Sequence, residues 1–164
     1  MDAVPDEVVS VGLAVAQFRY DLSRLQHRTT TTKSGDASGK FDPGGAIAEA
    51  LVLWSYPVRG IDWAWRAANG GKAVRDIGHF EVEAALLPNR RLILREYDLR
   101  AGVPPDTRYV LVQVGQNRGV WEARLAGWIS LRRGLEHPNR IPMPGAPGVW
   151  MIDEGDLRAM PPEP

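Results

Sequence analysis

The order of two kinds of apolar periodicity constrains the fold of this chain more than any other feature. Apolar residues with the 3–4 spacing of a helix come first, and runs of β formers fill most of the second half. No internal repeat interrupts this order. Helices followed by strands are typical of the α+β class, so we expect two N-terminal helices and then a mixed or antiparallel sheet of about four to five strands.

Both helices can be placed by their start signals. The first is predicted to begin near Pro5 and the second at Asp42-Pro43, because a cap residue and a proline favour a first helical turn. Pro57 would end the second helix. The first helix carries one apolar stripe, formed by Val8, Val11, Val15, Phe18, Leu22 and Leu25. So short a stripe favours packing within the chain's own domain, and self-assembly through this helix stays open as the alternative.

The length of the chain indicates one domain. With 164 residues, residues 1–164 are expected to form a single domain. Residues 27–42 are rich in Thr, Ser and Gly and predict a flexible loop. One helix cannot form a domain, so this loop is not a boundary. Residues 137–148 are rich in proline and predict extended coil.

The second half of the chain contains the predicted strands. The segments "HFEVEAALL" and "RLILREYD" flank "PNR" and predict a β-hairpin. "RYVLVQVG" predicts a third strand, and "VWEARLAGWISLRR" a fourth in which Gly127 marks a bulge or bend. "VWMIDEGDLRAM" predicts a short strand and then a turn. Most of the tryptophans are expected in the core, with Trp54, Trp121 and Trp128 in apolar segments.

Composition excludes several classes of function. The chain has no cysteine, which excludes disulfides, thiol catalysis and Cys-ligated zinc. No apolar run of about 18 residues and no signal-peptide pattern is present, so we expect no membrane association and a cytoplasmic location. Twenty basic and 20 acidic residues argue against a generally basic coat for nucleic acid. Residues 118–140 nevertheless carry a positive surplus, and Arg132 and Arg133 are the best candidates for phosphate contacts.

The stretch "RDIGHFEVEA" is the strongest candidate for a functional site. It places Asp76, His79, Glu81 and Glu83 within eight positions. Strand alternation puts the histidine and both glutamates on one face, with the two glutamates about 6.6 Å apart along the strand. Carboxylates so close together are stable in water, beside a cation, or with one protonated. The pattern is compatible with a Mg²⁺ or Mn²⁺ site, and it is equally what an ordinary antiparallel strand with one solvated face shows.

Glu49 adds a carboxylate from the second predicted helix. It is the one charged residue between Pro43 and Pro57. Burial of a carboxylate in such apolar surroundings is costly unless it is paired or bound to a cation. Glu49 is therefore either a member of a composite metal site or a residue on a solvated stripe.

The order of segments resembles a group of small proteins encoded by phages and bacteria. The resemblance runs from about Val11 through "GAIAEALVLW", "DIGHFEVEA", "RLILREYD", "YVLVQVG" and "LAGWISLRR" to "VWMIDEGDLRAM". That group in turn resembles the PD-(D/E)xK nuclease superfamily. The resemblance implies a restriction-endonuclease-like fold and a metal-dependent endonuclease that acts on DNA.

Residue by residue, the resemblance implies a site built from Glu49, Asp76 and Glu81 around the metal. Glu83 stands where the motif has a lysine, so it would be a further metal ligand, or the fold would persist without catalysis. Arg95 on the neighbouring strand would supply the missing positive charge from the side. The alternative function is a non-enzymatic, phage-type interaction module that uses the N-terminal stripe and the acidic C-terminal tail.

Overall fold

Two helices, two β-sheets and a short third helix make up the part of the chain that the structure describes. The computed structural model describes residues 1–29, 42–56, 80–86, 91–95, 103–143 and 146–161. The α+β class is confirmed. The two long helices cover one face of a four-stranded sheet, and a three-stranded sheet covers the other face. No described helix is both long enough and apolar enough to span a bilayer.

Helix α1 spans Asp6–Thr29 and begins directly after Pro5, as predicted. Val8 and Val15 are buried, whereas Phe18 is 57% exposed, so the predicted stripe is wrong at that position. The buried face of α1 is formed by Val8, Gly12, Val15 and Ala16. The next residue on that face is Arg19. Phe18 lies about one third of a helical turn away from this face.

Helix α2 spans Pro43–Ser55 and is capped by Asp42, whose side chain accepts the Gly45 N–H at 2.9 Å. Both features agree with the predicted start. Most of the helix is buried, with Ile47 at 0% exposure. Trp54 is 38% exposed, and its indole N–H donates to Glu7, so the expectation that it lies in the core is wrong.

The first sheet is mixed and has the strand order β1-β5-β4-β2. Its members are β1 (Asp2–Ala3), β2 (Phe80–Leu86), β4 (Arg108–Asn117) and β5 (Val120–Ser130). Strand β2 pairs with β4 in parallel, and the other pairs are antiparallel. A parallel pair requires a crossover connection, and here the chain between β2 and β4 passes through a strand of the second sheet, Arg91–Arg95.

The second sheet has the order β3-β7-β6. It consists of β3 (Arg91–Arg95), β6 (Arg140–Met143) and β7 (Ala146–Asp153), and a 3₁₀ turn at Glu154–Asp156 follows β7. The predicted hairpin is therefore wrong, because β3 pairs with β7 and not with β2. Pairing in the second sheet buries Leu92 and Leu94 completely against the first. The segment 137–148, expected as extended coil, contains β6 and the start of β7.

A bulge divides β5 into two halves. Leu111 pairs with Gly127 and Val112 with Leu125, so Ala126 is the extra residue. Gly127 has φ +148°, a conformation that side chains rarely adopt, and a Cβ there would lie 2.6 Å from the Arg158 carbonyl oxygen. The predicted bulge at Gly127 is confirmed. After β5, helix α3 (Leu131–Leu135) begins at the cap residue Ser130.

The two long helices approach each other closely at Gly12 of α1. A Cβ added there would lie 2.6 Å from Cγ1 of Ile47 and 2.7 Å from its Cα. Backbone atoms cannot move aside as the end of a side chain can. The absence of a side chain at residue 12 therefore sets the spacing of α1 and α2.

Gly12→Ala is expected to lower the free energy of unfolding by about 1–2 kcal/mol. Overpacking costs about 1–3 kcal/mol, and a clash with the Ile47 backbone places the cost in the upper part of that range, about 2–3 kcal/mol. The better helix propensity of alanine returns about 1 kcal/mol. Urea denaturation followed by circular dichroism measures the change. Ser10→Ala, an exposed position of the same helix, is the control and should leave stability unchanged or slightly higher. Equal stability of both variants would contradict the close approach.

Candidate functional site

The predicted acidic face of β2 lies against the second sheet. In the parallel register Glu81 lies beside Tyr109 and Glu83 beside Leu111, and both of these neighbours belong to the core between the sheets. Glu81 and Glu83 are half-buried. They share one face, as the alternation predicted. Strand β2 is at the edge of the sheet formed by the described strands.

Arg95 contacts Glu83 from the second sheet. Its Nη1 donates to Glu83 Oε1 at 2.8 Å, with the side chains 53% and 23% exposed. The position of Arg95 at the end of β3 allows this reach between the two sheets. A guanidinium beside the carboxylate offsets part of the charge that two glutamates concentrate on one strand.

Glu49 is paired inside the helical layer. Arg19 of α1 donates to both of its carboxylate oxygens, at 3.0 and 2.5 Å. Helix α2 packs on the face of β2 formed by Phe80, Val82 and Ala84, which is opposite to that of Glu81 and Glu83. The structure therefore does not bring Glu49 to the acidic face. Its carboxylate forms a bidentate ion pair that joins α1 to α2.

Asp76 and His79, the remaining members of the acidic stretch, lie outside the described residues. Within the described ranges, no three His, Asp or Glu side chains lie close enough together to hold a metal ion. A metal site at β2 would need a ligand such as Asp76, which precedes Phe80 by four positions. The convergence of Asp76 with Glu81 stays a prediction.

Arg132 and Arg133, the predicted phosphate contacts, are exposed on α3. The cap that positions them is Ser130, whose hydroxyl accepts the Arg133 N–H at 3.4 Å. Ser130 pairs with Arg108, the first residue of β4. The two arginines thus follow directly from the end of the sheet at which β2 and β4 begin.

Sequence reasoning missed a stack of arginines on Trp128 at this same end. The guanidinium carbons of Arg108 and Arg158 lie 4.8 and 5.3 Å from the indole centroid. Arg108 also lies 5.4 Å from the ring centroid of Phe80. The four residues come from distant segments that only the register brings together, so no local pattern signals them.

The acidic C-terminal segment forms internal ion pairs. Glu154 pairs with Arg124 at 2.7 Å and accepts from the buried Gln113 at 2.9 Å. The two other carboxylates of the turn are also engaged: Asp153 pairs with Arg91 at 2.8 Å, and Asp156 lies 3.2 Å from the His137 ring. These contacts hold the turn after β7 against the sheets. Because these carboxylates are engaged within the chain, the segment is less suited to bind a partner than its acidic sequence suggested.

Comparison with known proteins gives no relative from which to transfer a function. No protein-family model, no curated protein and no solved structure matches the chain.

Proposed function

We propose that this chain is a restriction-endonuclease-like protein that binds Mg²⁺ or Mn²⁺ and hydrolyses DNA phosphodiesters. The observation that carries the proposal is the acidic face of β2, where Glu81 and Glu83 lie half-buried on one side of an edge strand. Mg²⁺ needs only one or two carboxylates and keeps several of its waters, so two half-buried glutamates on one strand face suit it.

The roles follow from position and charge. Glu81 and Asp76 would bind the ion, and Glu83 would lie beside it. Arg95, which contacts Glu83, would supply the positive charge that a lysine supplies in the motif. A metal ion of this kind activates a water molecule and stabilises charge on the phosphodiester. Glu49 is assigned a structural role in this proposal, because Arg19 holds it in the helical layer.

Glu81→Gln and Asp76→Ala are each expected to weaken Mn²⁺ binding at least about tenfold, because each removes a charged oxygen ligand. Calorimetric titration of Mn²⁺ into the purified protein measures the affinity. Glu136→Gln, which removes one exposed carboxylate at the end of α3, is the matched control and should bind as the unaltered protein does. Failure of the unaltered protein to bind Mn²⁺ would refute the metal site.

Arg95→Gln is expected to separate metal binding from turnover. Loss of a positive charge next to the site should raise Mn²⁺ affinity, whereas DNA cleavage should fall on the order of 10²-fold, as for other groups that stabilise developing charge. The matched control is Arg91→Gln, at the other end of β3, where Arg91 pairs with Asp153 at 2.8 Å. Equal cleavage by both variants would exclude a catalytic role for Arg95.

A second candidate function is self-assembly through α1. Phe18 favours it, because this large apolar side chain is 57% exposed on the first helix. Phe18→Ser should then shift the sedimentation coefficient from that of an oligomer to that of a monomer. Gln17→Ser, at the neighbouring exposed position, is the control. A monomer before and after the substitution would remove the support for this candidate.

A further inference from the structure

Two guanidinium groups share one indole ring at the end of the first sheet. We define the arginine–tryptophan stack as Arg108, Trp128 and Arg158, in which both guanidinium carbons lie within 5.3 Å of the ring centroid. Phe80 extends it, at 5.4 Å from Arg108. Arg108 is half-buried and Arg158 is exposed.

The backbone holds the stack in place. Trp128 and Arg158 exchange two hydrogen bonds, each from one N–H to the other residue's carbonyl at 2.9 Å. Gly127 permits this approach, since a Cβ there would collide with the Arg158 carbonyl. The backbone of Arg108 is fixed by its register with Phe80 and Ser130. Arg108, Trp128 and Arg158, which come from three separate segments, are therefore held together by backbone hydrogen bonds and strand register.

The charge of the stack is uncompensated within the described part of the chain. Neither Arg108 nor Arg158 forms an ion pair there, whereas Arg19, Arg95 and Arg124 each pair with a glutamate. Two like charges near one ring repel each other, and the electron-rich indole face offsets only part of that cost. A bound anion would offset the rest.

The chemistry of the stack favours phosphate over an isolated carboxylate. A guanidinium held over a ring by a cation–π contact can still direct N–H donors to phosphate oxygens for bidentate contact. Exposed Arg132 and Arg133 lie near the same end of the sheet, because they follow Ser130, the strand partner of Arg108. Several arginines along one edge match the repeated charge of a nucleic-acid backbone.

We propose that the arginine–tryptophan stack binds the phosphate backbone of DNA and, together with Arg132 and Arg133, seats the duplex at the end of the sheet from which β2 begins. The choice of DNA as the polyanion rests on the proposed function, but the contact itself requires no metal. The residues of the stack are positioning residues, since they act on the backbone and not on the reacting phosphate.

The test is DNA binding in EDTA, where no metal-dependent contact contributes. Anisotropy of a short fluorescein-labelled duplex is measured over a range of salt concentrations for the full chain, for Arg108→Gln/Arg158→Gln and for Arg118→Gln. Arg118 is an exposed arginine in the turn between β4 and β5, at the opposite end of the sheet, so its variant removes the same kind of charge elsewhere.

The double variant should bind DNA at least about tenfold more weakly at moderate salt, and its slope of log K against log salt should be shallower by about 2, since each lost phosphate contact reduces the slope by about 0.9. Arg118→Gln should keep both values. If Arg108→Gln unfolds, as judged by circular dichroism, Arg158→Gln alone carries the test, with a slope shallower by about 1.

Absence of DNA binding by the unaltered chain, or an equal loss in the double variant and Arg118→Gln, would overturn the proposal. Its failure is distinguishable from failure of the proposed function. Mn²⁺ binding and cleavage with unchanged affinity in the stack variants would reject the stack and keep the nuclease. A stack-dependent slope in a protein that binds no Mn²⁺ would support the stack and reject the metal chemistry.

Discussion

Strand β4 is buried on both faces, and the rest of the structure depends on it. Val110, Val112 and Val114 join the core under the two long helices, while Tyr109 and Leu111 join the core between the sheets. Each of these side chains contributes roughly 1.5–3 kcal/mol by its burial. The register with β4 decides which side chains of the neighbouring strands face each core, because paired residues point to the same side of the sheet. The acidic face of β2 is turned toward the second sheet for this reason.

The sequence predicted the helices well because their signals are local. Asp42 and Pro43 mark the start of α2 through interactions within one turn, and the structure reproduces that cap. The hairpin prediction was wrong because it rested on local sequence, whereas the pairing of β3 is decided by tertiary packing. Leu92 and Leu94 could satisfy any apolar surface, and only the tertiary structure reveals that they cover the first sheet and pair with β7. Periodicity identifies a strand's faces but does not identify its partner.

The candidate site also contains some features that follow from local sequence and others that depend on tertiary structure. That Glu81 and Glu83 share a face follows from alternation, and the structure agrees. Arg95 was expected to supply positive charge from a neighbouring strand of the same sheet, yet it belongs to the second sheet and contacts Glu83 from there. The pairing of Glu49 with Arg19 was open, because 30 residues separate them and α1 had to be placed first. The stack on Trp128 could not be foreseen, since it requires three segments in register.

The bulge in β5 has a consequence for how this strand can change in evolution. Leu125 and Trp128 both point toward the helices although three positions separate them, because Ala126 is the extra residue between the two halves of the strand. Substitutions at residue 126 leave that arrangement intact. Loss of the codon for residue 126 would restore strict alternation and leave Leu125 and Trp128 on the same face, because two positions would then separate them. A strand without the bulge is therefore compatible with both cores, and a related sequence that lacks residue 126 should still place Trp128 on the side of the helices.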